Sequence, residues 1–158
     1  MEIVSDDIDR VLYLLAEHKN SVSSLYTKYS QIFPEESYWL ELAEVKSRHR
    51  QMIQSVYFSF KNEHTGFDDS IFHSAAIKTS LEWVTRLIAE SEKHDILKAL
   101  AYTLDLEQSR IEQKYFDIFK AESLEINKLL PIIMAENDKY LSLIQQKLFQ
   151  ARQNSPLT

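Results

Sequence analysis

One glycine and three prolines in 158 residues leave this chain few places to turn. Those two residues shape most tight turns and end most helices, so a chain nearly without them folds into long uninterrupted segments. What lies between is rich in Leu, Ile, Ala, Glu, Lys and Gln. Most of these side chains lose little freedom in a helix. The predicted class is all-α, with long helices and short connections. A length of 158 residues fits a single domain with a substantial core.

Apolar periodicity places the helices. Ile8, Val11, Leu15, Val22, Leu25, Tyr29 and Ile32 recur at helical spacing and define a first helix over 6–32. Pro34 suits the first position of a second helix over 35–62, and Glu35 and Glu36 suit the positive end of its dipole. The only glycine falls in NEHTGFDDS (62–70), the clearest break, where Asp69 or Ser70 can cap the next segment. That segment, amphipathic over 71–93, carries Ile77, Leu81, Val84 and Ile88. Asp95 then caps a helix over 96–121, and a last helix over 123–152 is expected to kink at Pro131, with a frayed tail at 153–158. Two tight connections make two antiparallel pairs, and 62–95 is a long crossover with an additional helix inside it. The architecture predicted is a four-helix bundle.

A formal charge of -6 and a pI near 5.4 oppose attraction to nucleic acid or to an anionic membrane. The absence of cysteine excludes disulfides, thiolate chemistry and cysteine-bound iron or zinc. The opening MEIVSDDIDRV lacks the basic and apolar regions of an export signal, and no stretch reaches the roughly 20 apolar residues of a membrane span. A soluble cytoplasmic protein is expected, without nucleic-acid or membrane partners.

Helical phase, about 100° per residue, sorts the polar residues by face. Glu17 and Lys139 point outward. Inside or beside the apolar stripes fall His18 and Lys19, then Lys46 and His49, then Glu107, Gln108 and Glu112, and finally Glu136, Asn137 and Tyr140. Every long helix contributes. Charges buried without partners are costly, so these side chains should meet one another or a metal.

With these helices and this crossover, SLYTKYSQIFPEESYWLELAEVKSRHRQMI (24–53) and LAYTLDLEQSRIEQKYFDIF (100–119) give a chain that resembles the ferritin-like superfamily, in its rubrerythrin-related branch. That resemblance implies a ferritin-like bundle with a di-iron or di-manganese site. Such sites take a Glu from each of two helices and Glu-x-x-His from each of the other two. Matched by position, His49 is the histidine of one such motif, and Lys46 stands where its glutamate belongs. Lys19 falls on the first helix's ligand position, Glu107 on the third helix's carboxylate and Glu136 on the fourth helix's glutamate, with Glu112 and His18 as secondary candidates.

A protonated lysine cannot bind metal and brings positive charge to the place of a cation. The resemblance therefore supports two expectations. In the first, Lys46 and Lys19 neutralise Glu107 and Glu136, no metal cofactor is held, and the role is binding or structural rather than catalytic. In the second, His49, Glu107 and Glu136, with Glu112 or His18, hold iron or manganese in a peroxidase or ferroxidase served by an external electron donor. Either form is expected as a homodimer, since relatives pair along the bundle and the apolar segment 71–93 must be covered.

Overall fold

The computed structural model describes residues 2–60, 73–118 and 124–154. Among them every regular element is helical: α1 (Glu2–Ile32), α2 (Tyr38–Phe60), α3 (Ser74–Glu90), α4 (Ile96–Gln108), α5 (Arg110–Lys114) and α6 (Leu124–Asn154), with 3-10 turns at Ser91–Lys93 and Tyr115–Ile118. No helix among the described residues is long and apolar enough to cross a membrane. Gly66, His64 and the caps expected at Asp69 and Ser70 lie outside the described residues, as do the connection 119–123 and the tail from 155 onward.

The α1–α2 connection corrects the expected start of the second helix. Phe33 N–H donates back to Tyr29 O at 2.8 Å, and Glu36 N–H to Phe33 O at 3.0 Å. Pro34 thus occupies the second position of a turn, which its fixed φ suits as well as a helix start does. The helix begins at Tyr38, and its early acidic residue is Glu41 rather than Glu35 or Glu36. Asp95 caps α4 as expected, its carboxylate accepting from Lys98 N–H at 2.8 Å. The last helix runs through Pro131 without ending there.

The larger correction lies in the helix expected over 96–121. It stops at Gln108 and restarts at Arg110, because Ser109 takes an extended backbone (φ -63°, ψ 152°) and caps α5 by accepting from Glu112 N–H. A carbonyl freed by the break finds another donor: Gln113 Nε2 donates to Glu107 O at 2.7 Å. Within α5, Asn137 Nδ2 donates to Glu112 O at 3.4 Å. Buried backbone groups must be paired, so the Gln113 amide helps make the break tolerable.

Contacts along the helices give their directions. Tyr29 meets Trp39 and Ser23 Oγ donates to Ala43 O, so α1 and α2 run antiparallel. His18 meets Ser80 and Tyr29 meets His94, so α3 runs parallel to α1 and returns the chain to the end where α2 began. From there α4 runs alongside α2, Trp39 facing Thr103 and Lys46 facing Glu107. Ile77, Val84 and Leu87 of α3 are buried within this single chain.

Two apolar clusters fill the interior. One gathers Leu25, Tyr26, Tyr29, Trp39, Leu42, Leu106 and Ile144; the other gathers Val11, Leu12, Leu15, Ile53, Ile77, Ile111 and Tyr115. Full burial of each large apolar side chain contributes about 1.5–3 kcal/mol, which makes these clusters the main source of stability. Between them, along α1 and α2, lie the residues of a polar layer.

Candidate functional site

Lys19 and Lys46 are 0% and 1% exposed, and Glu107 and Glu112 2% and 1%. Their heads form a chain of contacts across the interior. Lys19 Nζ donates to Glu112 Oε2 at 2.6 Å; Lys46 Nζ lies 2.6 Å from Glu112 Oε1 and donates to Glu107 Oε1 at 2.9 Å. Glu107 Oε2 then accepts from the Tyr26 hydroxyl at 2.7 Å. Two ammoniums and two carboxylates sum to zero formal charge. That neutrality is what permits four ions in so dry a place, since the effective cost of burying each is several kcal/mol before pairing.

Electrostatics inside the layer come from burial and these contacts. Burial alone pushes the Glu112 carboxyl up, but Lys19 and Lys46 outweigh it and hold the group well below the usual carboxylate range. Lys46 is raised, because Glu107 and Glu112 more than offset the opposing effect of burial. Lys19 moves the other way, from 10.5 to about 8, since burial, aided by Lys46, exceeds what Glu112 and Glu107 return. Its Nζ also sits 3.6 Å above the centre of the Tyr115 ring, a cation–π contact that a neutral amine would not make as well. Burial, then Glu107, raise the Tyr26 hydroxyl well above 10, so it remains a donor.

The two histidines stand at the edges of the layer. His18 is fully buried, with Nε2 2.8 Å from Ser80 Oγ and Nδ1 3.7 Å from Glu112 Oε2. Burial, opposed by Glu112 and helped by both lysines, lowers it to about 4, so it is neutral at pH 7. His49 is lowered further, to about 2, by burial and by Lys19 and Lys46. Its Nε2 lies 3.2 Å from Glu136 Oε1, a partner that fixes the tautomer with the proton on Nε2.

Sequence reasoning and geometry part in several places. Glu112, a secondary candidate, is the centre of the layer, touched by both lysines. Glu136 takes neither: it lies at 22% exposure and pairs with Arg48 Nη2 at 2.8 Å, itself 61% exposed, and with His49. Gln108, expected inward beside Glu107, is exposed, because phase puts it on the side of α4 opposite Ala99, Thr103 and Leu106. Asn137 and Tyr140 are buried as their phase requires, and Lys139 is exposed. His73 is exposed at the start of α3.

Three participants escape a reading of residues one by one. Tyr26 reads as a packing residue, yet it lies two turns from Lys19 on the same face, where its hydroxyl reaches the layer. Ser80 and Arg48 carry no signal, being ordinary polar residues on exposed-looking faces. Among the described residues, no group of three or more His, Cys, Asp or Glu side chains is placed to hold a metal ion. The chain matches no protein-family model, no curated protein and no solved structure.

Proposed function

We propose that this chain is a ferritin-like bundle of the rubrerythrin-related kind in which two lysine–glutamate ion pairs stand in place of two metal ions, and that its role is binding or structural rather than redox. One observation carries the reading: Lys46 Nζ lies within 3 Å of both Glu107 and Glu112, at 2.9 and 2.6 Å. A cation bridging two carboxylates from inside a bundle is what a divalent metal supplies in the relatives that the sequence resembles. Here the positive charge between the two carboxylates comes from an ammonium on the neighbouring helix.

The donor set does not fit a pair of metal ions. Both central carboxylates are already engaged by ammoniums, and two positive charges sit where cations would have to enter. His49 Nε2 is engaged by Glu136 and His18 Nε2 by Ser80. A network of this kind specifies which faces of the helices meet, since any other register leaves a buried charge unpaired. Pairing of two copies along the bundle belongs to the same proposal, supported by Leu129, Ile132 and Met134 exposed on α6.

Elemental analysis of protein purified after growth in iron and manganese tests this reading. The expected result is no stoichiometric metal in the native chain, with binding gained in the Lys46→Glu, Lys19→Glu double variant. Two metals per native chain would overturn it in favour of the iron or manganese peroxidase or ferroxidase with an external electron donor. Light scattering on the native chain checks the dimer.

A further inference from the structure

At the far end of the bundle from the second apolar cluster, the starts of α2 and α4 and the end of α6 enclose a cleft of about 480 Å³. Its floor is apolar, made by Ile96, Leu97, Leu100 and Ala151, with the buried Tyr38 at one side. Glu36, Asp95 and Lys147 stand around it. The volume lies within the range of small-molecule sites, and an apolar floor with a few polar groups is their usual composition.

The charges say which small molecule. Two carboxylates and one ammonium leave the lining at -1, and the lysine is drawn toward the Tyr38 ring, its Nζ 5.8 Å from the centroid. Asp95 is the cap of α4, and Glu36 accepts from the Tyr38 hydroxyl beside the cleft. The closing helix, α6, presents its negative end, with Gln150 and Asn154 among its last described residues. A bound anion would meet both carboxylates and that negative end. A bound monocation meets the same groups as acceptors and neutralises the excess.

We infer that this cleft is a binding site for a small organic monocation with an apolar body, its ammonium held between Glu36, Asp95 and the end of α6, and its body on Leu97, Leu100 and Ala151. The site is separate from the ion-pair layer, and its binding does not depend on what that layer does.

Titration calorimetry and amide chemical shifts on the full chain test it, with phenethylamine as probe and 2-phenylethanol and 3-phenylpropionate as its neutral and anionic counterparts. The amine is expected to bind about tenfold more tightly than the alcohol, the scale of two part-exposed ion pairs, and the acid weakest. Shifts should centre on Tyr38, Leu97, Leu100 and Ala151. Glu36→Gln with Asp95→Asn, which keeps a capping side chain, should bring the amine down to the alcohol, and Ala151→Phe should abolish binding of both. No binding of any probe, equal or tighter binding of the alcohol or the acid, or amine binding indifferent to the Gln/Asn variant would each overturn the inference.

Discussion

Replacing Lys46 by Met removes the ammonium that joins Glu107 to Glu112 while keeping most of its volume. In the variant, Lys19 and Tyr26 still reach one carboxylate each, but two buried negative charges face one positive. Breaking a buried pair by removing one partner costs about 3–5 kcal/mol, since the charge left behind remains desolvated. Against a total stability of about 5–15 kcal/mol for a domain, that is a large fraction. For a chain of this length it corresponds to a fall of roughly 6–20 °C in Tm. Urea unfolding followed by far-UV circular dichroism at pH 7.5 and pH 5.5 measures it. The loss should be smaller at the lower pH, since a proton taken up by a stranded buried carboxylate removes the excess charge. Arg48→Ala is the internal control: its pair with Glu136 is largely exposed on the arginine side, and such pairs are worth about 0–1 kcal/mol. If Lys46→Met costs no more than Arg48→Ala, at unchanged denaturant slope, Lys46 is not a buried, paired charge.

The remaining expectations concern the same layer and the break beside it. Replacing all four ions together, as Lys19→Met, Lys46→Leu, Glu107→Met and Glu112→Leu, should leave stability unchanged or raise it, because no charge is then stranded; a collapse as deep as that of Lys46→Met would show that the ions contribute net stability. Ser109→Ala should cost about 1 kcal/mol in urea unfolding through loss of the α5 cap, and no loss at all would mean that the break does not depend on the serine. For pH, Glu112 sits well below its ordinary 4.5 in the fold, so its stabilisation is present above that value and is lost as pH falls below it. A Glu112→Gln variant should therefore show a flatter acid limb. Lys19, lowered from 10.5 to about 8, acts in the same sense in a higher window: the unfolded chain keeps a proton that the folded protein has released, so this group adds stability as pH rises from 8 toward 10.5. Subtracting the Lys19→Met profile from the native one isolates that rise, and a difference that falls over this window would refute the lowered value.

The helices and the inward placement of charge are legible in the residues themselves. With almost no glycine or proline, the chain has no easy way to turn inside its apolar stripes, and phase alone puts Lys19, Lys46, His49 and Glu107 on the interior. These inferences hold because a helix face is a local property, set by a fixed rotation per residue. Which of those charges meet is settled by packing. Glu107 and Glu112 are five residues apart, about 140° around a continuous helix, and could not both face one point in the core. Only the break at Ser109 turns them to the same side, making Glu112 the centre of the layer. The signal is present in Ser109-Arg110-Ile111-Glu112, which has the spacing of a helix start. Inside an apolar periodicity that continues past it, however, such a motif is decisive only when Gln113 is there to take up the Glu107 carbonyl that it frees. That condition belongs to the packed molecule, as does the choice of Arg48 and His49 over the lysines as partners of Glu136.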